Sequence, residues 1–241
     1  MRKPLTLLAL LITLLFTGCS EESEPTGPQT IVYNQMAFEV SGNDATLIGY
    51  ERDNNQYSNP LKTLTIPSTF DKRVNGVNVT YTVKHIGDNA LASEYNLENV
   101  TFPGTLRTIG NGAFQNCLKL KGLHFPEGLE IIGHSAFESC THITEIIIPS
   151  NVTSIGERAF ATNSSLKNIT IGEKVNYIGN EAFKDVFATK ITFKGKNSPD
   201  IVGNYLLTDG WCTFYVPQES LDIYKQVLSK FMHAHDQIIG F

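Results

Sequence analysis

Residues 143–160 read Ile143-Thr144-Glu145-Ile146-Ile147-Ile148-Pro149-Ser150-Asn151-Val152-Thr153-Ser154-Ile155-Gly156-Glu157-Arg158-Ala159-Phe160. Two patterns meet in this stretch. The first is apolar-x-x-apolar-x-apolar-Pro, from Ile143 to Pro149. The second is Ile-Gly-x-x-Ala-apolar, from Ile155 to Phe160. The second recurs with its Ile at 86, 109, 132, 155 and 178, so every interval is 23 residues, and it ends on Leu91, Phe114, Phe137, Phe160 and Phe183. The first recurs at Leu61–Pro67, Leu97–Pro103, Leu120–Pro126 and Leu166–Gly172, and a degenerate copy ends at Ile191–Phe193. Equal intervals of this kind mark a repeat architecture, which must be identified before any local reading.

Each part of the unit has a mechanical reason. In Val100-Thr101-Phe102 the alternation sends two apolar side chains to one face and Thr to the other. Pro103 stops the strand because it lacks an N–H. Ile109 returns an apolar residue to the interior, and Gly110 stands where a Cβ would obstruct the chain. Ala113 leaves room for Phe114. One 23-residue coil cannot bury its own apolar flank, but stacked coils bury each other's. The expected fold is therefore a β-rich solenoid with 23-residue coils and a parallel sheet along one side, wound right-handed.

The pattern Ile143, Ile146-x-Ile148-Pro149, Val152, Ile155-Gly156, Ala159-Phe160 resembles the BspA-like leucine-rich repeat family of bacterial surface lipoproteins. The resemblance covers about residues 61–193. It implies a curved, surface-exposed recognition scaffold rather than an enzyme. One irregularity stands out: Leu61 and Leu97 are 36 apart, and the extra residues fall between Pro67 and Ile86. Asn75-Gly76 lies there between strand-forming residues, which predicts a protruding hairpin over 72–83. A solenoid needs covers at its ends. Residues 31–60 predict an N-terminal β-hairpin cap, with Met36, Phe38 and Val40 alternating and a turn at Ser41-Gly42-Asn43-Asp44. Residues 194–241 predict a C-terminal strand–helix cap, since Leu221, Tyr224, Leu228 and Phe231 have helical spacing.

The N-terminus reads as an address. Arg2 and Lys3 precede an apolar run from Leu5 to Phe16, followed by Thr17, Gly18 and Cys19. The run is shorter than the roughly 20 residues that span a bilayer, and with its basic start it reads as a signal peptide over 1–18. Leu15 to Cys19 resembles a bacterial lipobox, with Phe16 in place of the usual Leu. It implies lipid attachment at Cys19, which would be the chain's one link to a membrane. Residues 19–30 then form an acidic, Pro- and Gly-containing tether. An acidic run after the lipidated Cys resembles a surface-export signal, so an outer-membrane lipoprotein facing outward is expected.

The chain has 241 residues, 19 Lys+Arg against 24 Asp+Glu, and a net charge of −5. It carries no cationic surplus to neutralise phosphates, and nucleic acid is not an expected partner. Cys117 and Cys140 share one repeat position, which Asn163 occupies in the next coil. A ladder of buried thiols is the expected reading, with a disulfide as the alternative that export permits. Cys212 has no evident partner. His233-x-His235-Asp236 lacks a third metal ligand nearby and reads as the end of the cap. No nucleophile elbow, phosphate loop or zinc-protease motif occurs. No cofactor, metal or catalytic residue is expected.

A surface remains. The outward strand positions form one column of Thr63, Asn99, Gly122, Glu145, Asn168 and Lys190, and another of Thr65, Thr101, His124, Ile147, Thr170 and Thr192. Six strands at ~4.8 Å make a sheet ~29 Å long, or roughly 300 Å² in footprint. That is below the ~800 Å² per partner of an ordinary protein interface, so hairpin and coil edges would join in, or many anchored copies would act together. Asn99, Thr101, His124, Glu145, Ile147, Asn168, Thr170 and the hairpin residue Asn75 are the candidate contacts. The expected role is adhesion to a protein or glycan of a host or neighbouring cell. The alternative is a structural or accessory subunit of an envelope complex that captures glycans.

Overall fold

The computed structural model describes residues 29–51, 61–203, 206–207 and 211–241. The expected signal peptide, Cys19 and the expected tether through residue 28 lie outside the described residues, as does 52–60 of the expected N-terminal cap. The chain is a β-solenoid of 23-residue coils, each with three walls.

The first wall is a long sheet. It opens with an antiparallel meander of β1 (Gln29–Tyr33), β2 (Met36–Ser41) and β3 (Asp44–Tyr50). The N-terminal cap thus has three strands, and the expected tether ends earlier, because Gln29 and Thr30 already pair with Val40 and Glu39. In the first repeat, β4 (Thr63–Thr65) precedes a hairpin of β5 (Thr69–Val74) and β6 (Val77–Ile86). Its turn is Asn75-Gly76, both left-handed at φ 49° and 82°, the geometry of a two-residue hairpin turn. The hairpin is longer than 72–83, because β6 runs on into the solenoid and pairs with β3 on one edge.

From β6 the same sheet continues through two-residue strands at the Ile-Gly positions. The next repeat contributes β7 (Asn99–Thr101) and β8 (Thr108–Ile109), and β9 (Ile131–Ile132) follows. Then come β10 (Glu145–Ile147), β11 (Ser154–Ile155), β12 (Asn168–Ile171), β13 (Tyr177–Ile178), β14 (Lys190–Phe193) and β15 (Asp200–Ile201). The parallel order β6-β8-β9-β11-β13-β15 keeps Ile86, Ile109, Ile132, Ile155 and Ile178 in register, all at most 1% exposed.

The second wall holds the longer repeat strands. Here the structure departs from the expected single sheet of six. β4 pairs only with β7, and a separate five-stranded sheet runs β10-β12-β14 and on to β16 (Thr213–Val216) and β17 (Gln237–Gly240). Residues 120–126 between them form no strand. Their middle outward residue is Gly122, and glycine in a strand interior weakens pairing. The repeat also outlasts residue 193: β15 to β17 lie where a cap alone was expected, and Leu206 is buried 23 residues after Phe183. The helix α1 (Leu221–Leu228) sits between β16 and β17, burying Tyr224 and Leu228.

The third wall contains no strand, yet it is hydrogen-bonded from coil to coil. The N–H groups of Gly112, Phe114 and Asn116 donate to the carbonyls of His134, Ala136 and Glu138, and those of Ser135, Phe137 and Ser139 to Glu157, Ala159 and Ala161. Two left-handed residues per coil make this possible: Ser135 and Ser139, then Arg158 and Thr162, then Glu181 and Asp185. Behind this wall Phe114, Phe137, Phe160 and Phe183 stack nearly parallel, with centroids 5.1, 5.4 and 5.6 Å apart. Each such pair adds about 0.5–1.5 kcal/mol beyond the area it buries. Outside it, the Arg158 guanidinium bridges Glu138 and Glu181, Gln115 donates to Glu138 at 2.9 Å, and Lys184 pairs with Glu181.

The glycines of the Ile-Gly pairs set how closely coils approach. A Cβ on Gly156 would lie 2.5 Å from the His134 nitrogen and 2.6 Å from the Gly133 carbonyl carbon, and Gly133 and Gly179 are as tightly placed. Gly104, on the outer corner, has nothing within 4 Å. Gly156→Ala is therefore expected to destabilise the chain by about 1–3 kcal/mol in urea unfolding, while Gly104→Ala stays within about 0.5 kcal/mol. Equal midpoints for the two variants would contradict the close approach.

Burial pushes the Glu138 carboxyl up, but hydrogen bonds from Arg158, Ser135 and Gln115 outweigh it and hold the group below its ordinary value. A depressed carboxylate stabilises the fold above the unfolded-state value and loses that contribution as pH falls through the folded one. Glu138→Gln should cost roughly 1–3 kcal/mol near pH 7, with the gap to the parent closing as acid protonates Glu138. A gap independent of pH would show that its charge is not what matters.

Candidate functional site

The expected contact residues are exposed or half-exposed, but they do not form one surface. Asn99 and Thr101 on β7 pair in register with Thr63 and Thr65 on β4. Glu145 and Ile147 on β10 pair with Asn168 and Thr170 on β12. His124 is exposed in the unpaired coil that separates these two sheets. Asn75 belongs to a different wall, at the tip of the hairpin that joins the long sheet. The columns also extend further than 193 suggested. Glu145-Asn168-Lys190 continues to Thr213 and Gln237, and Ile147-Thr170-Thr192 continues to Tyr215 and Ile239. Ile147 is 54% exposed, an apolar side chain on β10, the edge strand of the five-stranded sheet.

The long sheet presents a second outward column that the strand-ending prolines do not reveal. His85, Thr108, Ile131, Ser154 and Tyr177 stand in register, each just before the buried Ile of its coil. His85 Nδ1 lies 2.7 Å from the Thr108 hydroxyl, and Ile131 is 43% exposed. The signal was available: Ile131-Ile132 doubles an apolar residue where the other coils put His, Thr, Ser or Tyr. Beside this column a shallow groove of about 420 Å³ runs along the corner between walls, lined by Arg107, Glu130, Ile131, Asn151 and Lys174 among others. Its charged groups already have protein partners. Arg107 donates to the Gly128 carbonyl at 2.9 Å and faces Glu130 at 3.7 Å, and Lys174 donates to Asn151 at 2.8 Å.

The residue after each Ile-Gly builds a polar ladder. The Asn111 amide N–H donates to the Asp88 carboxylate at 2.7 Å, the His134 amide N–H to the Asn111 side-chain oxygen at 2.8 Å, and the Glu157 amide N–H to His134 Nδ1 at 3.0 Å. The Asp88 carboxylate, the Asn111 side-chain oxygen and the His134 imidazole thereby satisfy backbone N–H groups of the next coil.

The thiols are equally structural. Cys117 and Cys140 are free and buried, and they donate to the carbonyls of Leu91 and Phe114 at 3.3 and 3.2 Å. Burial, and then the neighbouring Cys117, push the Cys140 thiol well above its ordinary value. Burial and Asp236 push Cys212 up to about 12. Neither Cys140 nor Cys212 is therefore a ready nucleophile, since the thiolate is the reactive form. Asn163 takes over the position in the next coil and donates to Phe137 and Phe160 carbonyls at 2.9 and 2.7 Å. In the C-terminal turn the Asp236 carboxylate accepts the amide N–H groups of Cys212 and His233 at 2.9 and 2.7 Å, and His235 stacks on Trp211. Among the described residues no three His, Cys, Asp or Glu side chains converge as metal ligands.

This arrangement offers register-fixed rows of polar side chains with exposed apolar residues placed singly among them. A comparison with curated proteins finds none that matches. Among solved structures, similar folds occur in a leucine-rich repeat protein from Bacteroides ovatus, at 18% identity over 86% of this chain and 67% of that one, with a TM-score of 0.58. The T. pallidum leucine-rich repeat protein is 19% identical over 88% of this chain and 100% of its own, with a TM-score of 0.58. The pneumococcal vaccine antigen PcpA is 21% identical over 81% of this chain and 51% of its own, again with a TM-score of 0.58. These likenesses concern the fold. The sequence pattern of the BspA type leucine-rich repeat region matches residues 84–208 in six copies, which is more than half of the chain. With its 23-residue coils, Ile-Gly columns and stacked phenylalanines, the chain belongs to the BspA type leucine-rich repeat family.

Proposed function

We propose that the chain is a lipid-anchored recognition module, displayed on the outer face of a bacterial outer membrane, that adheres to a macromolecule of a host or neighbouring cell. It acts as a scaffold and not as a catalyst. The observation that carries this reading is the outward register of the five-stranded sheet. There Ile147 stands exposed among Glu145, Asn168 and Thr170, on strands too tightly stacked to rearrange. The Arg107, Glu130 and Lys174 groups of the long-sheet groove and the Asp88 carboxylate of the polar ladder bond to neighbouring coils, which suits a scaffold role. The leader and Cys19 support anchoring, and two or more acyl chains suffice for stable attachment. Anchoring many copies side by side would turn weak single contacts into firm attachment.

The test uses intact cells that display the chain. Protease added outside should remove it, and the double variant Ile147→Glu, His124→Glu should lower adhesion about tenfold or more, as loss of a well-placed contact does. Protection from external protease would place the chain on the inner side and overturn the surface reading. Unchanged adhesion by the double variant would remove this wall from the site.

A further inference from the structure

We propose that the C-terminal half of the five-stranded face binds an acidic glycan, a polysaccharide bearing carboxylate or sulfate groups. This rests on the recognition reading above and names its ligand class and its place.

The fold leaves the rings of Trp211 and Phe187 uncovered. Trp211 is 73% exposed, and its indole lies flat on His235 with centroids 4.8 Å apart and planes 17° from parallel. That stack fixes the ring and leaves its other face open. Phe187 is 44% exposed, and Lys167 sits over it with Nζ 5.7 Å from the centroid and 3.1 Å from its carbonyl oxygen. Lys190 Nζ lies 4.9 Å over the Tyr215 ring. Trp211 therefore presents an exposed ring face held in place by its stack, while Phe187 and Tyr215 hold the Lys167 and Lys190 ammonium groups near that ring's coil.

Hydrogen bonds place these groups in successive coils. Thr189 and Lys190 amides donate to the Lys167 carbonyl, the Thr213 amide to Thr189, and the Gln237 amide to Cys212. Lys167, Phe187 with Lys190, Trp211 with Tyr215, and His235 therefore step across four coils, or about 15 Å at ~4.8 Å per step. Asn168, Thr170 and Thr192 flank them with amide and hydroxyl groups. The exposed face of Trp211 takes the C–H face of a sugar ring, amides and hydroxyls take sugar hydroxyls, and the ammonium groups that Phe187 and Tyr215 hold in place take the anions.

Charge selects the acidic class. On the two outward rows of this sheet Lys190 is the cation, and the one acid, Glu145, lies two strands away on β10. The Asp236 carboxylate near the Trp211–His235 stack is buried and already accepts two backbone N–H groups. A peptide strand is the less suitable occupant. β12, β14 and β16 are each paired on both edges, so they offer no free backbone to an added strand.

Affinity electrophoresis of the full-length chain tests this, with polygalacturonate as the carboxylate probe, dextran sulfate as the sulfate probe, plain dextran as the neutral control and polyglutamate as the acidic polypeptide. Retardation by polygalacturonate, dextran sulfate or both at about 0.15 M salt is expected, and which one retards the chain identifies the anion. Trp211→Ala and the pair Lys167→Gln, Lys190→Gln should each weaken it about tenfold. These side chains are exposed, so unchanged melting temperatures will show that the variants fold. Equal retardation of parent and variants, equal retardation by plain dextran, or equally strong retardation by polyglutamate would overturn the proposal. If the chain adheres to cells through Ile147 and no polysaccharide retards it, this proposal fails and the recognition reading stands.

Discussion

The backbone of one coil touches the backbone of the next at the Ile-Gly column, and the rest of the molecule is arranged around that contact. With no Cβ at Gly110, Gly133, Gly156 and Gly179, consecutive coils close to a distance at which strands pair on two walls and turns pair on the third. The same spacing brings Phe114, Phe137, Phe160 and Phe183 to ring-stacking distance. A side chain at the glycine would widen one corner and loosen all three walls together. Stability therefore comes from between the coils, as it must where no coil can bury its own flank.

Much of this was legible in the sequence, because a period of 23 survives every substitution that keeps the inward residues. The inward columns follow directly from it. The walls did not. The strand signal at Val100-Thr101-Phe102 is strong and predicts the sheet there. The longer sheet instead uses two-residue strands such as Ser154-Ile155, too short to show alternation. The gap at 120–126 coincides with Gly122, and a single residue does not stand out against a periodic pattern. The third wall shows its inward side in the repeated Ala-Phe pairs, but its left-handed turns carry no composition signal. Its left-handed positions are held by Ser135, Arg158 and Glu181 as readily as by Gly112, because the hydrogen bond to the next coil stabilises the turn.

The candidate contacts show the same division. Register fixes where Glu145, Ile147, Asn168 and Thr170 point, and that was readable from the repeat. Their grouping with Thr213, Tyr215, Gln237 and Ile239 was not, because the last coils drift from the period: Thr213 pairs with Gln237, 24 residues on. The exposed Trp211 follows the same drift, and only the fold shows it resting on His235. Inward residues are uniform because each must match its neighbour. Outward residues are free to vary, and the wall can acquire a binding surface at no cost to the stack.

Amide hydrogen exchange tests the central claim most directly, at the third wall where no strand protects the backbone. If coils hold each other through all three sides, the amides of Phe114, Phe137 and Phe160 should be protected to the same free energy as the strand-side amides of Gly133, Gly156 and Gly179. Exchange of the phenylalanine amides at the rate of exposed turns, while the glycine amides stay protected, would show that two walls carry the solenoid and would contradict the account.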